Sequence, residues 1–172
     1  DRHGLHLQIE RTLNLNTDKR AVLMGSIENP LVQRYCADKQ LVASMRSLGP
    51  EGYILQANAN IVVVAGSDDR GAFYGLQSLR QLLVKEKNDI RFRGVQIRDW
   101  PDKGYRGISM YLPGRDNIHF FKRFVRDFMA LYKFNTLILE MNACMRLDSH
   151  PELNYGWTQF ARDVNYSARN YP

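Results

Sequence analysis

Residues 105–139 read as strand, crossover helix and strand, and this single unit is the strongest constraint on the fold. Tyr105 to Leu112 is β-rich, and Pro113-Gly114 ends it. Asp116-Asn117 can cap a helix whose inner face would carry Phe121, Phe124, Val125, Phe128, Met129 and Tyr132. Phe134-Asn135 then leads into the strand Thr136-Leu137-Ile138-Leu139. Strands joined through a helix pair in parallel. One such unit cannot cover both faces of its own two-stranded sheet, and a (β/α)8 barrel takes about 250 residues. Residues 101–172 are therefore docked on the first hundred residues or are the opening of a barrel cut short. From Asn142 onward the pattern dissolves into polar and aromatic residues, as in a loop or tail.

The first hundred residues have a different grammar. Leu5, Leu7 and Ile9 alternate with polar residues, a period of two that predicts a half-buried strand. Asn14 to Lys19 is turn-like, and Ala21 to Met24 is a short strand ended by Gly25. Leu31 to Leu41 can be helical, with Pro30 suited to the first position. Tyr53, Leu55 and Ala57 alternate, Asn58-Ala59-Asn60 turns, and Ile61-Val62-Val63-Val64 comes next, which predicts a hairpin. Ser67-Asp68 can cap a helix with Ala72, Phe73, Leu76, Leu79, Leu82 and Leu83 facing that sheet. Asn88-Asp89 breaks it, and Ile90 to Ile97 is the next strand. The expected fold class is α/β. An α+β domain of sheet and packed helices spans residues 1–100, and Asp99-Trp100-Pro101-Asp102 separates it from a truncated barrel start over 101–172.

Composition removes several functions. The net charge of +6 suggests nucleic acid, but residues 1–100 hold 14 Lys+Arg against 11 Asp+Glu, and residues 101–172 hold 10 against 7. Charge spread this evenly lacks the stripe that neutralises phosphates, so no nucleic-acid partner is expected. No apolar run is long enough for a membrane-spanning helix. Cys36 and Cys144 lie far apart among small and apolar residues and read as buried free thiols. His3, His6, His119 and His150 show no metal-ligand spacing, so neither metal nor cofactor is expected. Neither a nucleophile elbow nor a phosphate-binding Gly-Lys-Ser/Thr loop is present. Gly104-Tyr105-Arg106-Gly107 precedes a strand rather than opening a helix, which excludes a dinucleotide fingerprint.

Two stretches carry a resemblance. Glu51-Gly52-Tyr53 with Ile61-Val62-Val63-Val64, then Gly71-Ala72-Phe73-Tyr74-Gly75-Leu76-Gln77-Ser78-Leu79-Arg80-Gln81-Leu82-Leu83, resembles the small domain before the barrel in family 20 glycoside hydrolases, the β-N-acetylhexosaminidases. Tyr105-Arg106-Gly107-Ile108, with Met129-Ala130-Leu131-Tyr132-Lys133-Phe134-Asn135 after it, resembles the family's first barrel strand, first helix and second strand. The likeness covers roughly residues 50–140.

The resemblance implies a retaining hydrolase of N-acetylhexosamine-containing glycans, secreted or periplasmic, in which the substrate's own acetamido oxygen attacks the anomeric carbon. The protein's share falls to an Asp-Glu pair after the fourth barrel strand. That strand lies beyond this chain, whose sole adjacent acidic pair, Asp68-Asp69, is explained as a helix cap. No catalytic residue is therefore expected here, and the remainder of the parent barrel is the implied partner. The start of the chain, Asp1-Arg2-His3-Gly4, likewise reads as a processed piece.

Arg106 resembles the family arginine that holds sugar hydroxyls, and its alternative role is a bridge between the first strand and the small domain. The family pattern has an Asp along the first strand and His-Trp-His on the second, where this chain has Tyr111 and Ile138-Leu139-Glu140. Glu140 and Asn142, at the end of the second strand, are the other substrate-binding candidates, with Asp148 and His150 on the next loop. Two alternatives stay open. One is a non-catalytic carbohydrate-binding or domain-docking module using Tyr155, Trp157, Phe160 and Tyr166; the other is a related family 84 enzyme. An incomplete barrel would expose the helix over 121–132 and favour association through it.

Overall fold

The computed structural model describes residues 8–12, 14–16, 20–86, 89–92, 94–140 and 148–154. The chain divides into two compact units, residues 1–104 and 105–172. In chain order the first contains β1 (Ala21–Ser26), α1 (Pro30–Asp38), α2 (Met45–Leu48), β2 (Tyr53–Ala57), β3 (Ile61–Gly66), α3 (Asp69–Gln81), β4 (Leu83–Glu86), β5 (Asp89–Phe92) and β6 (Val95–Asp99). The second contains β7 (Gly107–Tyr111), α4 (Ile118–Phe124), a π-helical stretch (Val125–Met129) and β8 (Thr136–Glu140).

The run Ile61-Val62-Val63-Val64 is β-branched throughout, which suits a strand covered on both faces. Every residue of β3 is buried. It pairs in parallel with β1 and antiparallel with β2, which in turn pairs with β6, giving the order β1-β3-β2-β6. Because side chains alternate across a sheet, the core splits in two. Leu23, Ile54, Val63 and Ala65 pack with Val32 and Cys36 of α1 on one face. Tyr53, Leu55, Val62 and Val64 pack with Tyr74 and Leu79 of α3 on the other. A mixed sheet between helices gives the α/β character expected.

Asp68 ties the layers together. Its Oδ1 accepts from the Gly71 N–H at 2.6 Å, capping α3, while Oδ2 accepts from the Glu51 N–H at 3.0 Å. The Ser67 N–H donates to the Gly52 carbonyl at 2.8 Å and its hydroxyl to the Gly49 carbonyl at 2.6 Å. The start of α3 is thereby pinned to the turn entering β2. A Cβ at Gly71 would strike the Gly52 carbonyl oxygen, and one at Gly75 would strike Val64 Cγ1. Helix and sheet touch backbone to backbone there. Further along, the Tyr53 hydroxyl donates to Asp99 Oδ2 at 2.8 Å and lies 2.6 Å from Ser78 Oγ, linking β2, β6 and α3.

Several expectations need correction. Leu5 and Leu7 lie outside the described residues, while Ile9 is 91% exposed and in no strand. β1 continues through Gly25 because its pairing with β3 runs on to Gly66. α1 stops at Asp38, since Gln40 takes a left-handed φ of 55°. The short α2, capped by reciprocal Ser44–Ser47 bonds, has no apolar periodicity to announce it. α3 ends at Gln81, so Leu83 belongs to β4 instead. Its buried line runs through Gly71, Gly75 and Leu79, which turns Phe73 outward to 46% exposure. Residues 90–97 form parts of two strands, because β5 folds back on β4 while β6 joins the main sheet.

In the second unit β7 and β8 pair in parallel, from Gly107 opposite Thr136 to Tyr111 opposite Glu140. Strand, helix and parallel strand are as the sequence implies. Asn117 stands at the helix start without a side-chain cap bond, because a 3-10 turn leads straight into it. The Ala130 N–H reaches back to the Val125 carbonyl, a π-type step that shifts the facing of the residues beyond it. Phe128 and Tyr132, expected inside, are 41% and 61% exposed. Phe128 stacks instead with Phe124 and Phe134, at centroid distances of 5.2 and 5.8 Å. Among the described residues of this unit, Met129 is the one buried hydrophobic.

The glycine contact can be tested directly. Gly71→Ala should destabilise the first unit by about 1–3 kcal/mol, because the helix must lift off a backbone carbonyl. Gly104→Ala, where a Cβ would meet nothing within 4 Å, should stay within about 0.5 kcal/mol of the parent. Thermal unfolding of both variants measures the difference.

Candidate functional site

The site candidates fall at opposite ends of one two-stranded sheet. Arg106 precedes β7, and Glu140 ends β8 opposite Tyr111. The strands are parallel at about 3.3 Å per residue, so some 16 Å of backbone separates the two residues. They do not form one cluster.

Arg106 is half-buried and hydrogen-bonded to the segment that enters β8. Its backbone N–H donates to Asn135 Oδ1 at 3.0 Å, and its Nε donates to the Lys133 carbonyl at 2.8 Å. Its own carbonyl accepts from the Asn135 and Thr136 N–H groups at 3.0 and 3.3 Å. Lys133 takes a left-handed φ of 62°, which turns the chain after the helix and aims its carbonyl at Arg106. The segment Lys133 to Thr136 thus forms a socket for Arg106.

At the other end Glu140 is exposed, with Ser109 donating from Oγ to its Oε1 at 3.3 Å. The Leu112 N–H donates to the Glu140 carbonyl at 3.0 Å, continuing the ladder past β7. Ser109, Tyr111, Ile138 and Glu140 are exposed, while Ile108, Met110, Leu137 and Leu139 between them are half-buried. One face of the sheet therefore carries a carboxylate, a hydroxyl and a phenol ring. Asn142 lies outside the described residues, as do Cys144, Tyr155, Trp157, Phe160 and Tyr166. His150 is exposed, with Nδ1 3.0 Å from Glu152 Oε1, a local pair within one turn.

Reasoning from sequence missed Ser109 and Tyr111 as companions of Glu140. The signal was the period of two along Gly107–Tyr111, readable only once the register with β8 is known. Asp68 is fully engaged as a cap, as its position implied. Burial pushes the Cys36 thiol up from its ordinary value, so it stays protonated and unreactive. Among the described residues no group of three His, Cys, Asp or Glu could hold a metal ion, and no helix could cross a membrane.

The socket makes its own prediction. Asn135→Ala removes the acceptor for the Arg106 N–H, at a cost of about 1–2 kcal/mol. The Arg106 amide should then exchange with solvent roughly 5- to 30-fold faster by NMR, 1.4 kcal/mol being a factor of ten.

Known proteins resemble both parts of the chain. The profile described as glycosyl hydrolase family 20, domain 2, matches residues 4–100, more than half of the chain. A beta-hexosaminidase of Porphyromonas gingivalis is 36% identical over 100 residues, which span 51% of this chain and 12% of that protein. A solved family 20 beta-N-acetylglucosaminidase superposes with a TM-score of 0.52 at 32% identity, covering 60% of this chain and 22% of that one. A beta-N-acetylhexosaminidase from Bacteroides fragilis shares the fold over 88% of this chain and 38% of its own, with a TM-score of 0.57 and 19% identity. On the strength of the match over residues 4–100, the chain belongs to glycosyl hydrolase family 20.

Proposed function

We propose that the chain is the N-terminal part of a β-N-acetylhexosaminidase that releases terminal N-acetylhexosamine from glycans. In this reading residues 1–100 are the family's second domain and residues 101–172 open the catalytic (β/α)8 barrel. The observation that carries it is the parallel β7–β8 pair, joined through a helix and coming directly after the residues matched by the family. A parallel pair of that kind is the repeating element of such a barrel. The exposed face of β7 and β8 would then look into the barrel, where further strands would cover it. The general acid and the residue that orients the acetamido group would come from a later strand, and the acetamido oxygen would be the nucleophile. The enzyme would meet its glycans in the periplasm or outside the cell.

Within this reading Arg106, Glu140 and Asn142 bind substrate, with Glu140 and Asn142 at the strand ends where barrel active sites are built. For Arg106 a second reading has its own support. Hydrogen bonds tie it to Lys133, Asn135 and Thr136, as expected of a clasp closing the strand–helix–strand unit.

Two measurements test these proposals. The full-length protein should hydrolyse a chromogenic N-acetylglucosaminide, and the 172-residue chain should not, since loss of a general acid alone costs about 10²–10⁴-fold. Inactivity of the purified full-length protein on N-acetylhexosaminides would remove the functional assignment. In that protein Arg106→Ala should lower kcat/KM at least ~10-fold if the guanidinium grips hydroxyls, because charge-assisted bonds contribute about 1.5–3 kcal/mol. A lowered melting temperature with unchanged kcat/KM would make Arg106 the clasp.

A further inference from the structure

We propose that Ser109, Tyr111 and Glu140 form a sugar-recognition surface in which Tyr111 supplies a stacking face, Glu140 accepts from vicinal hydroxyls and Ser109 fixes the carboxylate. The inference deepens the hexosaminidase reading and rests on it for the identity of the sugar.

The register makes Tyr111 and Glu140 neighbours. They are Cα partners on adjacent parallel strands, where backbones lie about 4.8 Å apart. Partners in register share a face, so the ring and the carboxylate stand side by side. Both are the last residues of their strands, at the edge where barrel enzymes place substrate. Tyr111 is 64% exposed, which leaves its ring open at the strand end. Ser109, two residues back on the same face, donates to Glu140 Oε1. That bond restricts the carboxylate rotamers before a ligand arrives, which lowers the entropy cost of binding.

The chemistry selects a class of ligand. A pyranose has one apolar face of C–H groups, which suits a phenol ring, and a rim of hydroxyl donors, which suits a carboxylate accepting two bonds. An anionic ligand would be repelled by Glu140. A flat apolar ligand would leave the carboxylate desolvated and unpaired. A neutral sugar ring satisfies both groups together. Tyr111 and Glu140, two of the positions where the chain departs from the pattern that the resemblance implies, thus meet as one pair. Their joint role is to decide which sugar epimer is accepted.

The test uses the full-length protein and five variants, Tyr111→Ala, Tyr111→Phe, Glu140→Gln, Ser109→Ala and Ser109→Thr. Hydrolysis of chromogenic N-acetylglucosaminide and N-acetylgalactosaminide is measured beside direct binding of N-acetylglucosamine and N-acetylgalactosamine by calorimetry. Tyr111→Ala and Glu140→Gln should each weaken sugar binding at least ~10-fold and change the ratio of kcat/KM between the two epimers. Tyr111→Phe, which keeps the ring, should retain binding to within ~3-fold. Ser109→Ala should raise KM with kcat nearly unchanged, and Ser109→Thr should restore it, which a loss of folding would not reproduce. An active wild type whose epimer ratio and affinity survive Tyr111→Ala and Glu140→Gln would overturn this surface and leave the hexosaminidase reading standing. A wild type inert on both substrates that still binds either sugar through Tyr111 would keep the surface and overturn that reading. Absence of both activity and binding would overturn the two together.

Discussion

The seat of α3 on the turn entering β2 is the constraint on which the first unit depends. Asp68 reaches both the Gly71 and Glu51 N–H groups, and Gly71 lies against the Gly52 carbonyl with no room for a side chain. Fixing these two points sets the height and direction of the helix over the sheet. Gly75 and Leu79 continue along the same line, which brings Tyr74 and Leu79 onto Leu55 and Val64. Fully burying each such side chain contributes about 1.5–3 kcal/mol. With α3 covering one face and α1 the other, the run of valines in β3 becomes a two-sided core.

Nothing comparable organises the second unit among its described residues. Its strands are well paired and its Arg106 socket is firmly bonded, but Met129 alone reaches full burial. Hydrogen bonds fix its local geometry without supplying apolar burial, and their net contribution of about 0.5–1.5 kcal/mol each is small beside the entropy of ordering the chain. Ser109, Tyr111, Ile138 and Glu140 leave one face of its sheet exposed. Under the hexosaminidase reading the later strands of a barrel and a sugar ring at its mouth would cover that face.

The architecture was legible in the sequence wherever a local signal matched a local cause. Asn58-Ala59-Asn60 between two β-rich runs marked the β2–β3 hairpin, Asp68 marked the helix cap, and Pro113-Gly114 ended β7. Other features depend on tertiary context. Gly71 and Gly75 decide which face of α3 is buried, and a hydrophobic count that places Phe73 inside cannot know that two glycines win the contact. The helix passes into a π-type stretch after Phe124, and no pattern in residues 121–132 distinguishes it from a regular helix. For the candidate site, the sequence offers Arg106 and Glu140 as residues but says nothing of their geometry. Only the parallel register separates them by the length of a strand and brings Tyr111 beside Glu140 instead.

Native-state hydrogen exchange on the 172-residue chain tests the contrast between the two units most directly. Regions with few buried contacts open at low free energy, whereas a closed core opens only on global unfolding. Amides of β2, β3 and α3 should exchange at least ~100-fold more slowly than those of β7 and β8, a gap of about 2.7 kcal/mol. Equal protection of the two sets would contradict a second unit that needs further strands to complete its core.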